Sequence, residues 1–168
     1  MDKAMSTETK VSKFIIFKIT NYCLALPIYQ VVKIVDFSNN NNEFTKIGLV
    51  QIGRHTIKIL DLRWHNLEIN SNLPTVSYQQ PFLLIIRDLQ KEFCGILVDE
   101  TPDLLELPHE IIKAIPQSNR RSKGILEMVS HVAVVSQENL TRTIFILDLN
   151  RVLNSNTSDV NLPALNPS

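Results

Sequence analysis

The chain of 168 residues suits one domain or two small, closely packed halves, and its hydrophobic fraction of 44% is enough for a core. The 17 basic and 17 acidic residues leave no net charge, which argues against a nucleic-acid binder because such proteins usually carry a basic surplus. No apolar run approaches the roughly 20 residues of a membrane-spanning helix. The polar N-terminus also lacks the apolar centre of a signal peptide, so we expect a cytoplasmic protein without direct membrane insertion.

Short strand signals follow a polar segment, residues 1–12, that predicts a flexible tail. Runs rich in Ile, Val, Leu and Phe predict eight strands. In chain order these are residues 14–19, 22–26, 49–52, 55–62, 82–86, 93–98, 125–135 and 143–149. Apolar spacing allows a short helix over residues 28–34 and one helical turn over 109–115. The polar segments between these elements predict loops, and residues 154–168 predict a second tail.

The strongest local signal is a hairpin formed by the third and fourth of these strands. The strands are parted by Gly53-Arg54, and a two-residue loop with glycine first predicts a type II′ turn. The second strand ends in Ile-Leu-Asp-Leu at residues 59–62, and the same string returns at residues 146–149. This repeat indicates two related halves, and we place the seam between them in the loop of residues 68–80. Many short strands, without an amphipathic helix long enough for a parallel crossover, predict a mainly β fold made of small barrels.

The residues that could carry chemistry do not form a catalytic or cofactor-binding pattern. The four glycines are too far apart for a phosphate-binding loop, and the four histidines lack metal-ligand spacing, so we predict no metal and no cofactor. Cys23 and Cys94 lie in apolar runs and predict buried, unreactive thiols. Asp61 and Asp148, the carboxylates of the repeat, are candidates for an acid–base pair, but a capping role for each at a following short helix fits the pattern better.

Five segments in order resemble the CheW-like domain family. They are FIIFKITNYCLALPIYQVVKI at residues 14–34, GLVQIGRHTIKILDLR at 48–63, the strand pair that ends in Gly-Ile-Leu-Val-Asp at 82–99, LPHEIIKAIP at 107–116, and the final strand and helix at 144–153. The resemblance covers about residues 14–153 and indicates a single domain spanning residues 13–153.

The resemblance implies two small interlocked five-stranded β-barrels with short connecting helices and no catalysis. It implies an adaptor that couples membrane chemoreceptors to a CheA-type histidine kinase, in chemotaxis, phototaxis or pilus-driven motility. The implied partners are the regulatory domain of the kinase and the cytoplasmic tip of a methyl-accepting chemoreceptor, so the protein would be recruited to receptor arrays at the inner face of the membrane. The residues expected to contact partners are Val31, Lys33, Val35, Gly48, Gly53, Arg54, Asp61 and Arg63.

One departure from the family pattern concerns the hairpin turn, where the family's Arg-Gly order is inverted to Gly53-Arg54. The inversion leads us to expect an altered choice of partner. Two alternatives remain at this point. The first is a divergent CheW-like module that regulates another kinase pathway without binding a receptor, and the second is a small enzyme that uses Asp61 or Asp148.

Overall fold

In the part of the chain that the structure describes, the fold consists of two β-sheets and one α-helix. The computed structural model describes residues 9–36, 49–62, 82–98, 100–116 and 124–159. Its strands are β1 Val11–Ile19, β2 Tyr22–Pro27, β3 Lys33–Asp36, β4 Leu49–Ile52, β5 His55–Leu60, β6 Phe82–Arg87, β7 Phe93–Val98, β8 Asp103–Pro108, β9 Ile112–Ala114, β10 Val129–Gln137 and β11 Leu140–Leu147. Short 3₁₀ turns occur at Ile28–Gln30, His109–Ile111 and Gly124–Met128, and the helix α1 spans Leu149–Asp159.

The two sheets share one strand topology. The first sheet has the order β8-β1-β2-β11-β10-β9 and the second has the order β3-β6-β7-β5-β4. In the first sheet the hairpins β1-β2 and β10-β11 meet through the parallel pair β2 and β11, and β8 lies beside β1. In the second sheet the hairpins β6-β7 and β4-β5 meet through the parallel pair β7 and β5, and β3 lies beside β6. The repeated Ile-Leu-Asp-Leu marks the end of that parallel strand in both sheets, because Ile59 lies opposite Gly95 and Ile146 lies opposite Ala25.

The mainly β, two-barrel prediction is confirmed, with six rather than five strands in the first sheet. The additional strand is the short β9, which pairs with β10. The edge strands β8 and β9 are joined in the chain by only the three residues His109–Ile111, which draws the sheet edges toward each other. The His109 N–H also donates to the Lys10 carbonyl (2.8 Å), which fixes this connection against the start of β1.

The expected division of the sheets at residues 68–80 is not the one observed. The second sheet takes β3 to β5 from before that segment and β6 and β7 from after it, while β1 and β2 join β8 to β11 in the first sheet. Strands from both halves of the chain meet in the second sheet because β5 pairs in parallel with β7. Parallel neighbours are joined by a crossover connection and not by a tight turn. The connection after β5 is therefore internal to one sheet, and the barrels are interlocked. Residues 68–80 themselves lie outside the described residues.

Several local elements differ from the sequence expectations because strand pairing overrides local propensity. The helix expected over residues 28–34 is a single 3₁₀ turn followed by β3, which pairs with β6. The acidic segment 99–108 contains β8, which pairs with β1. Strand β1 begins at Val11 and helix α1 ends at Asp159, so regular structure reaches into both segments that were expected to be tails, residues 1–12 and 154–168.

The described residues form three buried hydrophobic clusters. The largest lies between the sheets and includes Phe17, Leu24, Leu84 and Ile96, and a smaller cluster fills the inner side of each sheet. Strands β1, β2, β6 and β7 are therefore buried on both faces, which explains their unbroken apolar sequences. Alternation along the predicted strands assigns a set of apolar residues to the core. The members of this set that are buried are Phe14, Ile16, Val50, Ile59, Leu84, Ile86, Ile96, Val98 and Leu147, whereas Ile52 and Phe145 are partly buried.

Candidate functional site

The β4–β5 turn has the geometry predicted from its sequence. Ile52 pairs with His55, so Gly53 and Arg54 form a two-residue loop. Gly53 has a φ of 61°, and Arg54 is not among the residues with positive φ, which is the pattern of a type II′ turn. Both residues are exposed. Arg54 forms no hydrogen bond or ion pair with the described residues, so its guanidinium is available to a partner.

The β6–β7 turn, residues 88–92, lies at the same end of the second sheet because β5 and β7 are parallel neighbours. Its backbone is closed by hydrogen bonds from Asp88 N–H to the Glu92 carbonyl (2.8 Å) and from Lys91 N–H to the Asp88 carbonyl (2.9 Å). The Asp88 Oδ1 accepts from the N–H groups of Gln90 (2.9 Å) and Glu92 (2.8 Å). The Asp88 carboxylate therefore stabilises its own turn, an Asx-type arrangement that is common in such loops.

An aromatic contact joins the two turns. The Phe93 ring meets the His55 ring edge to face, with centroids 5.2 Å apart and planes at 85°. The Arg87 guanidinium carbon lies 4.5 Å from the centroid of the same Phe93 ring, and Arg87 Nη1 donates to the Lys91 carbonyl (3.0 Å). Phe93 packs on the inner cluster of the second sheet, so His55 and Arg87 are held against a buried cluster.

The candidate residues of the β3 region lie on an edge strand. Val31 packs partly buried against the central cluster, Val35 packs against the inner cluster of the second sheet, and Lys33 is exposed. The intervening Val32 and Ile34, which the sequence interpretation passed over, are 50% and 39% exposed. The sequence did not indicate this exposure on an edge strand, because the apolar spacing of residues 28–34 favoured a short helix there.

Exposed apolar side chains also precede β3. Ile28 and Tyr29 of the 3₁₀ turn are 39% and 83% exposed. Together with Val32 and Ile34 they form what we call the linker patch, the apolar surface of the segment that passes from the first sheet to the second. These four exposed residues lie within one short segment of the chain, and exposed apolar residues that form a patch mark interaction surfaces in soluble proteins.

The two aspartates of the repeat end strands of different sheets. The Asp148 Oδ1 accepts from the Asn150 N–H (3.0 Å), its carbonyl accepts from the Val152 N–H (3.0 Å), and its Oδ2 lies 3.4 Å from Arg151 Nε. The expected capping role is thus confirmed for Asp148, at the start of α1. Asp61 is half-buried directly after β5. The candidate residues Gly48 and Arg63 lie outside the described residues.

Both cysteines are buried free thiols, as the sequence predicts. Burial raises the pKa of Cys94 from its ordinary 9.0 to about 12, with a smaller contribution in the same direction from the Asp88 carboxylate. Burial also raises the pKa of Cys23, against the opposing charges of Arg142 and Lys18. Thiols held in the neutral form are poor nucleophiles, so neither is suited to catalysis.

Within the described ranges, no group of His, Cys, Asp and Glu side chains is arranged to hold a metal ion. None of the helices seen in the same part of the chain is long and apolar enough to cross a membrane.

The comparisons with known proteins agree with this architecture. The family model for the CheW-like domain matches residues 13–157. Among solved structures, the chain is similar to the scaffolding protein TtCheW from Thermoanaerobacter tengcongensis, with a TM-score of 0.62 and 17% sequence identity over 85% of this chain and 92% of that one. No curated protein matches the chain in sequence. Because the family model covers most of the chain, this protein belongs to the CheW-like domain family.

Proposed function

We propose that this protein is a non-catalytic adaptor that couples membrane chemoreceptors to a CheA-type histidine kinase in chemotaxis, phototaxis or pilus-driven motility. Membership of the CheW-like family supports the proposal, as does the fold shared with a protein described as a scaffold. In this role the protein acts in the cytoplasm and is recruited to receptor arrays at the inner face of the membrane. Its partners are the regulatory domain of the kinase and the cytoplasmic tip of a methyl-accepting chemoreceptor.

The observation that carries the proposal is the linker patch. Tyr29 is 83% exposed and Val32 is 50% exposed, although the chain has three well-formed apolar clusters in which such residues could be buried. Exposing apolar area to water is unfavourable by about 25 cal/mol per Å², so a patch of this kind is explained by a partner that covers it.

Of the candidate contact residues that the structure describes, Val31, Lys33 and Val35 belong to the segment of the linker patch, and Gly53 and Arg54 form the turn at one end of the second sheet. Lys33 is exposed on β3 between Val32 and Ile34, and Arg54 is exposed at the β4–β5 turn. We propose that the β3 edge and the turn contact partners, along with Gly48, Asp61 and Arg63 from the predicted set. An interface needs buried apolar area at its centre and charged groups at its rim, and this distribution supplies both.

The test is a pull-down from native cells followed by a binding comparison. The tagged wild-type protein is expected to co-purify a histidine kinase and a chemoreceptor. The double variant Val32→Asp/Ile34→Asp places two charges in the linker patch. It should reduce recovery of at least one of these partners about tenfold or more, because both charges would be desolvated at the interface. The matched control is Leu140→Asp, which alters a residue that is 74% exposed on β11 of the first sheet. Recovery of neither kinase nor receptor by the wild-type protein would contradict the proposal.

Recovery of a kinase without a receptor would support a divergent module instead. The inverted Gly53-Arg54 turn is the reason to keep this second candidate, since we expect the arginine to leave the turn in a different direction and to alter the choice of partner. The same pull-down separates the two, because only the coupling adaptor brings down both proteins.

A further inference from the structure

The two adjacent turns of the second sheet form a surface that the sequence interpretation did not assemble. We call it the paired-turn surface, and its members are Arg54, His55, Arg87, Leu89 and Lys91, arranged around Phe93. All except Phe93 are exposed, and Leu89 is 55% exposed at the outermost turn. The contacts of Phe93 with His55 and Arg87 hold the two turns together.

This end of the sheet carries a local excess of positive charge in a chain without net charge. Residues 53–58 contain Arg54 and Lys58 and no acidic residue. Residues 87–93 contain Arg87 and Lys91 against Asp88 and Glu92, and the Asp88 Oδ1 is already occupied by two backbone N–H groups. These two segments therefore carry a net charge of +2, with Arg54, Arg87 and Lys91 exposed and Lys58 half-buried.

The arginine beside the ring is pre-organised for a ligand. Stacking on Phe93 at 4.5 Å and donation from Nη1 to the Lys91 carbonyl fix the Arg87 guanidinium in one orientation. A guanidinium has five N–H donors in a planar fork that matches a carboxylate, so most of its donors remain for a partner. Fixing the side chain in advance lowers the entropic cost of binding.

We propose that the paired-turn surface binds an acidic, leucine-containing segment of a signalling-protein partner, with carboxylates at Arg54 and Arg87 and an apolar side chain against Leu89. The proposal deepens the adaptor function proposed above and rests on it for the class of partner. A protein segment fits better than a nucleic acid, because the half-buried Phe93 ring is already stacked against the Arg87 guanidinium and a nucleic-acid surface of this kind needs exposed aromatic faces for its bases.

The test measures binding of labelled probes by fluorescence anisotropy at low and high salt. The probes are a Glu-rich peptide with one central leucine, its Lys-rich counterpart and a short DNA duplex. The wild-type protein should bind the Glu-rich peptide, more weakly at high salt because exposed charges are screened. The charge-reversed variant Arg54→Glu/Arg87→Glu should bind that peptide at least about tenfold more weakly and should bind the Lys-rich peptide instead.

Arg142→Glu is the matched control, since Arg142 is an exposed arginine on β11 of the first sheet. It should bind the Glu-rich peptide as the wild type does. The single variant Arg54→Gln leaves the stack of Arg87 on Phe93 intact. It should lose less affinity for the Glu-rich peptide than the double variant does and should keep the wild-type melting temperature, which separates an effect on binding from one on folding. Equal losses in Arg142→Glu and the double variant would overturn the proposal, and so would DNA binding at least as tight as that of the peptide.

The kinase pull-down distinguishes failure of this inference from failure of the proposed function. If Arg54→Glu/Arg87→Glu recovers the signalling partners as the wild type does, the paired-turn surface is not their docking site and the inference is wrong, while the adaptor function stands. If the wild type binds the Glu-rich peptide but recovers neither kinase nor receptor, the adaptor function fails and the charge preference of the surface stands.

Discussion

The shared topology of the two sheets can be tested at Gly95. A Cβ added to Gly95 would lie 2.6 Å from the Cγ and Cδ2 atoms of Leu83 and 2.8 Å from its Cδ1 atom, closer than carbon atoms can pack. Leu83 is fully buried in the inner cluster of the second sheet, so it has little room to move. The corresponding position of the first sheet holds Ala25, which tolerates a Cβ. Gly95→Ala should therefore destabilise the protein although alanine is the residue found in the partner sheet.

Two opposing effects set the loss in the free energy of unfolding expected for Gly95→Ala. Overpacking a well-filled core costs about 1–3 kcal/mol. Because the Gly95 φ lies outside the left-handed region, alanine also restricts the unfolded chain, which offsets about 0.4–1 kcal/mol. We expect a net loss of about 1–2 kcal/mol in the free energy of unfolding, measured by urea titration with circular dichroism.

A double-mutant cycle isolates the contact. Leu83→Ala alone should cost about 2–5 kcal/mol because it leaves a cavity. The double variant Leu83→Ala/Gly95→Ala should lose at least about 1 kcal/mol less than the sum of the single losses, since the new methyl group occupies part of that cavity. Additive losses, or a Gly95→Ala protein as stable as the wild type, would refute the packing described here.

Four further outcomes are expected. The double variant Gly53→Arg/Arg54→Gly, which restores the family's order in the turn, should improve binding to a standard CheW partner. It should lower the melting temperature by no more than a few degrees, since an Arg at a φ near 61° costs about 1–2 kcal/mol unless the turn changes type. Unchanged binding to the standard partner and to the protein's own partner would show that the turn is not a recognition element. Cys94 and Cys23 should resist a thiol reagent in the native protein. The contribution of Cys94 to the free energy of unfolding should be complete below about pH 9 and be lost as the pH rises toward 12, because the thiol ionises first in the unfolded chain. The free energy of unfolding of Cys94→Ala should therefore fall less steeply with pH over that range. A slope equal to that of the wild type would contradict the raised pKa. Asp148→Ala should lose about 1 kcal/mol with the cap of α1, as measured by urea unfolding, and Asp148→Asn should lose less.

Local signals were sufficient to predict the hairpins. Continuous apolar runs, the Gly53-Arg54 loop and the position of Pro27 each act within a few residues, and the strands β1, β2, β6 and β7 lie close to where they were expected. The repeat of Ile-Leu-Asp-Leu correctly indicated two related units. It did not show that the units exchange strands, because the parallel pairing of β5 with β7 depends on contacts between distant segments.

The edge strands and part of the core were not predictable in the same way. The β8 segment is acidic and forms a strand only because β1 offers a paired edge. Leu83 and Phe17 were left out of the predicted core because alternation assigns one face of a strand to solvent, whereas these strands are covered on both faces.

The same limit applies to the candidate site. Arg54 could be singled out from its turn, but its neighbours Arg87 and Phe93 follow from the parallel register of two strands. A contact between residues this far apart in the chain leaves no periodic signal in the sequence.

The proposed coupling of a receptor to a kinase can be tested by kinase autophosphorylation in a reconstituted mixture of receptor-containing membranes, the native histidine kinase and this protein. Adding the wild-type protein should place the kinase rate under control of the receptor ligand. The double variant Val32→Asp/Ile34→Asp should fail to do so, while Leu140→Asp should succeed. A kinase rate that responds to the receptor ligand equally with and without this protein would contradict the proposed function.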